Sequence, residues 1–193
     1  MSKRIVHRKI NFLSIFPEIK QIHSLPLRNR VLKVWEIAVR ESGEKDLFSV
    51  PFNPEVKGVS LIEHIQFVVK ISLSIATQLK KAHGYRIDMD LLIASALLHD
   101  LGKIFEYRRQ GGRFKKSEIG KFFPHGFWGT FLALREGLPL DLAHLVSSHA
   151  HVSPVPPQRL EGIILHYADF AHADALRFSQ GLETFMERGK NKK

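Results

Sequence analysis

The 193-residue chain contains no cysteine, only two tryptophans and three tyrosines, and far fewer acids than bases, 19 against 29. Without cysteine there is no disulfide framework, no thiolate zinc site and no thiol nucleophile. Long hydrophobic runs are missing too, since no stretch approaches the ~18 apolar residues that a membrane span needs. The basic start (Lys3, Arg4, Arg8, Lys9) leads into an apolar stretch broken by Pro17, Glu18 and Lys20, so no secretory signal is visible. The expected setting is the cytoplasm, with no membrane partner. Hydrophobic residues at 44% and charged residues at 25% exclude a disordered or fibrous chain and suffice for a real core.

The formal charge of +10 invites a nucleic-acid reading, but its distribution argues otherwise. Both ends are purely basic: Lys3, Arg4, Arg8 and Lys9 at the start, and Arg188, Lys190, Lys192 and Lys193 at the finish. The segment 103–121 carries seven bases against Glu106 and Glu118. The remainder is slightly acidic. The expectation is a near-neutral body with solubilising basic tails, which offer at most weak contact with nucleic acid, and one basic central segment.

Helical periodicity is frequent and strand alternation scarce. A first helix is expected over about Leu27–Glu41, ended by Gly43. Ser60 and Glu63 form a capping box that starts a second helix running towards Gly84. A third starts after Asp88 or Asp90 and is apolar nearly all round through Leu98, which marks it as central and buried. Gly111-Gly112 marks a tight turn, suited to a short hairpin near residues 107–116. Further helices are expected over about His125–Arg135, from an Asp141 N-cap to about His149, and from about Gln158 to Gly181. The fold class is all-α, a bundle of six or seven helices. Residues 1–59 read as an N-terminal helical extension, 60–181 as the main domain, and 182–193 as a basic tail.

Eleven histidines is a rich count. A His-Asp pair alone carries no weight, because chance supplies about 0.4 in a chain of this composition. Its setting does. His99-Asp100 ends the most apolar helix, and two ionisable groups placed there are costly unless something binds them. A divalent cation answers that need, and imidazole with carboxylate suits manganese, iron, cobalt, nickel or zinc.

The stretch Ala96-Leu97-Leu98-His99-Asp100-Leu101-Gly102-Lys103-Ile104 resembles the signature of the HD-domain superfamily of metal-dependent phosphohydrolases. The family's ordered pattern H…HD…H…H…D is matched by His64, His99-Asp100, His125, His149 and Asp169 over about residues 60–180. The layout is similar to the HD domains attached to bacterial 3′–5′ exoribonucleases. Those carry two adjacent histidines where this chain has His149-Ala150-His151. The resemblance implies a first ion held by His64, His99, Asp100 and Asp169. It implies a second bridged by Asp100 and completed by His125 and His149, with His151 as a further candidate in place of Ala150. One or two divalent ions per chain therefore remain open. It also implies that a metal-activated water attacks phosphorus. Asp100 and Lys103 would then serve catalysis, Lys103 by stabilising phosphoryl charge. Arg108, Arg109, Arg113 and Lys115, between two ligand-bearing elements, are candidates to hold substrate phosphate. His166 is a candidate to orient a ligand.

The expected function is hydrolysis of a phosphate ester of a small-molecule nucleotide or of a nucleic-acid end. The alternatives are a non-catalytic nucleotide- or RNA-binding module, suggested by Ala150 and the tails, and a scaffold stapled by one ion.

Overall fold

The computed structural model describes residues 10–150 and 153–190. Among these it has ten α-helices, two short 3₁₀ helices (Pro17–Gln21 and Leu47–Ser49) and one two-stranded sheet. The helices are α1 (Phe12–Ile15), α2 (Leu25–Ser42), α3 (Leu61–His83), α4 (Met89–Leu98), α5 (Lys103–Glu106), α6 (Glu118–Phe122), α7 (His125–Arg135), α8 (Leu140–Ser148), α9 (Leu160–Ser179) and α10 (Phe185–Lys190). The all-α expectation holds. The helices that periodicity indicates are the six long ones, and the four short ones carry too few residues to show a period.

Local chemistry explains the boundaries. Ser24 caps α2, which starts at Leu25, two residues ahead of the expected start, and Gly43 ends it at φ 69°. The Ser60–Glu63 capping box is formed in both directions and sets the start of α3. Asp88 caps α4 by accepting the Leu91 N–H at 3.0 Å. One expectation needs correction: Asp141 is not the N-cap of α8. That helix begins at Leu140 behind Pro139, and Asp141 lies in its first turn, paired with Arg159 at 2.9 Å. The hairpin is present, with β1 (Tyr107–Gln110) antiparallel to β2 (Arg113–Lys116) and Tyr107 opposite Lys116. Gly111 and Gly112 both take positive φ, the requirement of a two-residue type I′ turn.

Helix α4 is the central element. Every residue from Leu91 to Leu98 is buried, and α2, α3, α8 and α9 pack around it. The N-terminal segment belongs to the same core. Phe12, Phe16, Ile19, Val34 and Trp35 are buried in one continuous cluster with Ile65, Leu97, Leu98 and Leu101. Phe12 and Phe16 both pack on Trp35, with ring centroids 5.5 and 5.0 Å away. The stretch read as a tail is also structured, since residues 185–190 form α10 against α9. Among the described residues, no helix is long and apolar enough to cross a membrane.

Leu97, fully buried in the middle of this core, tests the central role of α4. Leu97→Ala is expected to cost about 2–5 kcal/mol. Loss of the cap in Ser60→Ala should cost only about 1 kcal/mol. Urea titrations of the two variants measure the difference.

Candidate metal centre

Five helices deliver six ligand-type side chains to one buried point. The capping box fixes where α3 starts and so turns His64, one turn in, towards the core. Because α4 is apolar on all sides, its C-terminal end is driven inward and carries His99 and Asp100 with it. Both are buried, Asp100 with 1% of its surface exposed. His125 opens α7, His149 follows α8 as its C-cap, and Asp169 sits midway along α9.

Asp100 links two sets of donors. Its Oδ2 lies 3.3 Å from His64 Nε2 and 3.6 Å from His99 Nε2. Asp169 Oδ1 completes this first set, 3.0 Å from His64 Nε2 and 3.8 Å from His99 Nε2. The other oxygen, Oδ1, lies 3.4 Å from His125 Nε2 and 3.6 Å from His149 Nε2. Each set converges closely enough for one ion to touch all its members.

All four imidazoles present the same nitrogen, and the far side of each ring explains why. His99 Nδ1 donates to the Ala96 carbonyl and His149 Nδ1 to the Val146 carbonyl, both at 2.7 Å. His125 Nδ1 donates to the Glu106 carboxylate at 2.8 Å. His64 Nδ1 meets His172 Nδ1 at 2.9 Å. With each Nδ1 committed elsewhere, each Nε2 faces Asp100, the arrangement seen behind metal-bound histidines. His166 acts one step further out, donating to the His149 carbonyl at 2.7 Å.

The electrostatics call for a cation. Burial alone would raise the Asp100 pKa, but Lys103 and the histidines outweigh it and hold the carboxyl well below its ordinary value. Asp169 is lowered in the same way by His64 and His99. Burial pushes His99 down to about 4 against the pull of both carboxylates, so the ring is neutral and its lone pair free. At His64 the two carboxylates win over burial and raise the pKa, which makes it the group that takes positive charge. His172 is pushed down to about 4 by burial and by His64, so it stays neutral and accepts the His64 Nδ1–H. Asp100 Oδ2 is buried without a well-directed hydrogen bond, although the Lys103 ammonium stands 2.6 Å away. An under-satisfied buried carboxylate oxygen among imidazole nitrogens fits a divalent ion of borderline or hard character.

Two glycines let the ligand segments touch. A Cβ on Gly102 would collide with the backbone carbonyl of His125, and one on Gly120 with the backbone carbonyl of Glu106. The glycine after His99-Asp100-Leu101 is thus what allows the α4–α5 turn to press against the start of α7.

The predicted phosphate-binding residues divide sharply. Lys103 and Lys115 line a cleft of about 590 Å³ whose floor contains Asp100, His125, His149 and Asp169. Arg108 does not reach it. Its guanidinium turns back to the carbonyls of Ile104 and Ser42 and ties the hairpin to the end of α2. Arg109 lies over the Phe114 ring and Arg113 is exposed, and neither lines the cleft. Arg108 stands opposite Lys115 in the ladder, so its capture by the Ile104 and Ser42 carbonyls, not strand alternation, keeps it from the cleft. His151 lies outside the described residues.

Glu106 and Phe52 were not singled out from sequence, and His172 only as a structural or ligand-supporting histidine. Glu106 is buried beside His125 and is held ionised by His125 and Lys116 against the effect of burial. It is one of only two acids in an otherwise basic stretch and directly follows the apolar pair Ile104-Phe105, and that setting was the available signal. His172 follows Asp169 by three residues, the spacing of one helix face. Phe52 stacks on the His64 ring at 4.5 Å, and nothing in the sequence marks it.

Fold and site together define an all-α bundle built around a histidine–aspartate cluster that could hold divalent metal. The chain belongs to the HD domain family, whose model matches residues 61–174. It is 34% identical over 113 residues to a dihydroneopterin 2′,3′-cyclic phosphate phosphodiesterase of Methanocaldococcus jannaschii. The match covers 58% of this chain and 45% of the relative, so the chain spans under half the relative's length. No solved structure gives a significant match.

Ion binding to the folded chain alone must stabilise it. Saturation at a hundredfold over Kd adds about 2.7 kcal/mol, so chelation should lower Tm by roughly 5–10 °C. Gly102→Ala should bind less metal than the parent while remaining helical, read by elemental analysis beside far-UV circular dichroism.

Proposed function

We propose that this chain is a divalent-metal-dependent phosphohydrolase that cleaves a phosphate ester of a nucleotide-like molecule, with two ions per chain. The observation that carries the proposal is Asp100. One buried carboxylate offers each of its oxygens to a separate histidine set at the floor of a cleft edged by cations. His64, His99, Asp169 and Asp100 would hold one ion, and Asp100, His125 and His149 the other. When bound, such ions supply Lewis acidity and lower the pKa of water towards neutrality.

The chain's own residues do the rest. The Nδ1 hydrogen bonds orient all four imidazoles before substrate arrives, so no reorganisation is needed in the reaction. Lys103, 12% exposed and 2.6 Å from Asp100, is placed to share its charge with a phosphoryl oxygen. Lys115 lines the cleft, and no acidic partner reaches it among the described residues. It supplies long-range attraction for a phosphate. The similarity to a protein named for a 2′,3′-cyclic phosphate favours a cyclic phosphodiester among the candidate esters.

The test is turnover on a panel of nucleoside monophosphates and 2′,3′-cyclic phosphates with manganese, cobalt or nickel. Activity is expected in the parent and absent from His99→Ala and Asp100→Asn variants that keep their helical spectrum. Two ions per parent chain are expected by elemental analysis. No turnover on the whole panel by metal-loaded protein would overturn the proposal. It would favour a binding module, the reading that Ala150 beside His149 supports; such a module predicts salt-dependent RNA binding that needs no metal.

A further inference from the structure

We infer that the segments flanking the family core, residues 52–55 and helix α10, form a wall that restricts the cleft to phosphate esters of mononucleotide size, with Arg188 as its anion-binding group. The inference rests on the phosphohydrolase function proposed above and names the substrate class of that site.

Phe52, Asn53, Pro54 and Glu55 line the cleft, as do Phe185 and Arg188. All six lie outside residues 61–174, the range matched to the family. The family core thus provides the candidate metal ligands, and segments outside the matched range shape what may approach them.

The wall is built, not frayed. Phe52, Val56 and Ala173 form a small core of their own, with Val59, Leu176, Leu182 and Phe185 packed on it. The start of α10 has a capping box, in which Thr184 N–H donates to Glu187 at 2.8 Å and Glu187 N–H donates back to the Thr184 hydroxyl at 3.2 Å. Asp174 on α9 accepts the backbone N–H groups of Phe185 and Met186 at 2.6 and 3.2 Å. At the centre lies Arg177, with 1% of its surface exposed. It donates to Glu55 at 2.6 Å and to the Glu183 carbonyl, which joins the loop, α9 and α10. A buried guanidinium is tolerated only when so paired.

Glu55 also accepts from Arg188 Nη2 at 3.1 Å, and Glu183 accepts from its Nε at 3.3 Å. These two bonds fix the guanidinium plane at the cleft. They leave the Nη1 donors without a protein acceptor among the described residues, and a positioned guanidinium is suited to a phosphate oxygen. The cleft, at about 590 Å³, is of small-ligand size. A polynucleotide instead needs an open groove that tracks its backbone. A wall pinned at both the loop and α10 denies that groove.

The experiment compares a mononucleoside 2′,3′-cyclic phosphate with a ten-residue RNA ending in the same group, on manganese-loaded full-length protein. The parent is expected to favour the small substrate by at least about tenfold in kcat/KM, the scale set by one buried polar group left unpaired. Arg188→Met should raise KM for it about tenfold with little change in kcat and no loss of bound metal, as removal of ground-state binding does. Equal or greater efficiency on the RNA, or an unchanged KM in Arg188→Met, would overturn the inference. Calorimetry with adenosine 3′-monophosphate separates this from failure of the proposed reaction. If the parent is inactive on both esters but binds the monophosphate about tenfold more tightly than Arg188→Met does, the reaction is wrong and the anion site stands. Equal affinity in the two proteins sinks the anion site.

Discussion

An ionised carboxylate in a protein interior is tolerable only when positive charge or hydrogen-bond donors surround it. Asp100 is that carboxylate, and much of the structure is arranged about it. Its two oxygens each face a pair of imidazoles, Lys103 stands against one of them, and Asp169 adds a second negative charge nearby. Left with neutral imidazoles alone, this cluster would be underfilled with positive charge. The rise of the His64 pKa shows where a proton is drawn in the absence of a stronger cation.

The burial that creates this demand comes from helix α4. A helix with one apolar face lies on a surface and ends in water. One that is apolar on every side lies within the bundle, and whatever follows it in sequence is carried into the interior. Leu91–Leu98 therefore decide the environment of His99 and Asp100 before any ligand is considered. The other ligands reach the same point through ordinary devices: a capping box before His64, a proline before His125 and a helix end at His149.

These devices explain what was legible in the sequence. The long helices and the Gly-Gly hairpin rest on local signals, and the six candidate ligands from His64 to Asp169 came from the resemblance to the ordered HD-domain pattern. What escaped depended on contacts between distant segments. The inward turn of Arg108 requires the Ser42 carbonyl, 66 positions earlier. The burial of Glu106 requires His125, and the fixing of α10 requires Asp174, Arg177 and Glu55. In each case a charged residue on a short element reads as solvated surface until its partner is known. The N-terminal segment was legible as helix, but Trp35 gives no sign in sequence that its partners include Phe12 and Phe16.

The ligand set has a topological consequence as well as a chemical one. His64 and Asp169 stand more than half the chain apart, yet an ion touching both would close that span into a loop. Closing a long loop removes many conformations from the unfolded chain, by the same reasoning applied to covalent cross-links. His125 and His149, joined through Asp100, would close shorter loops inside it. A polypeptide with no cysteine can make no disulfide, and here the same histidines and aspartates that equip the site for chemistry could tie together the segments that a disulfide would otherwise join.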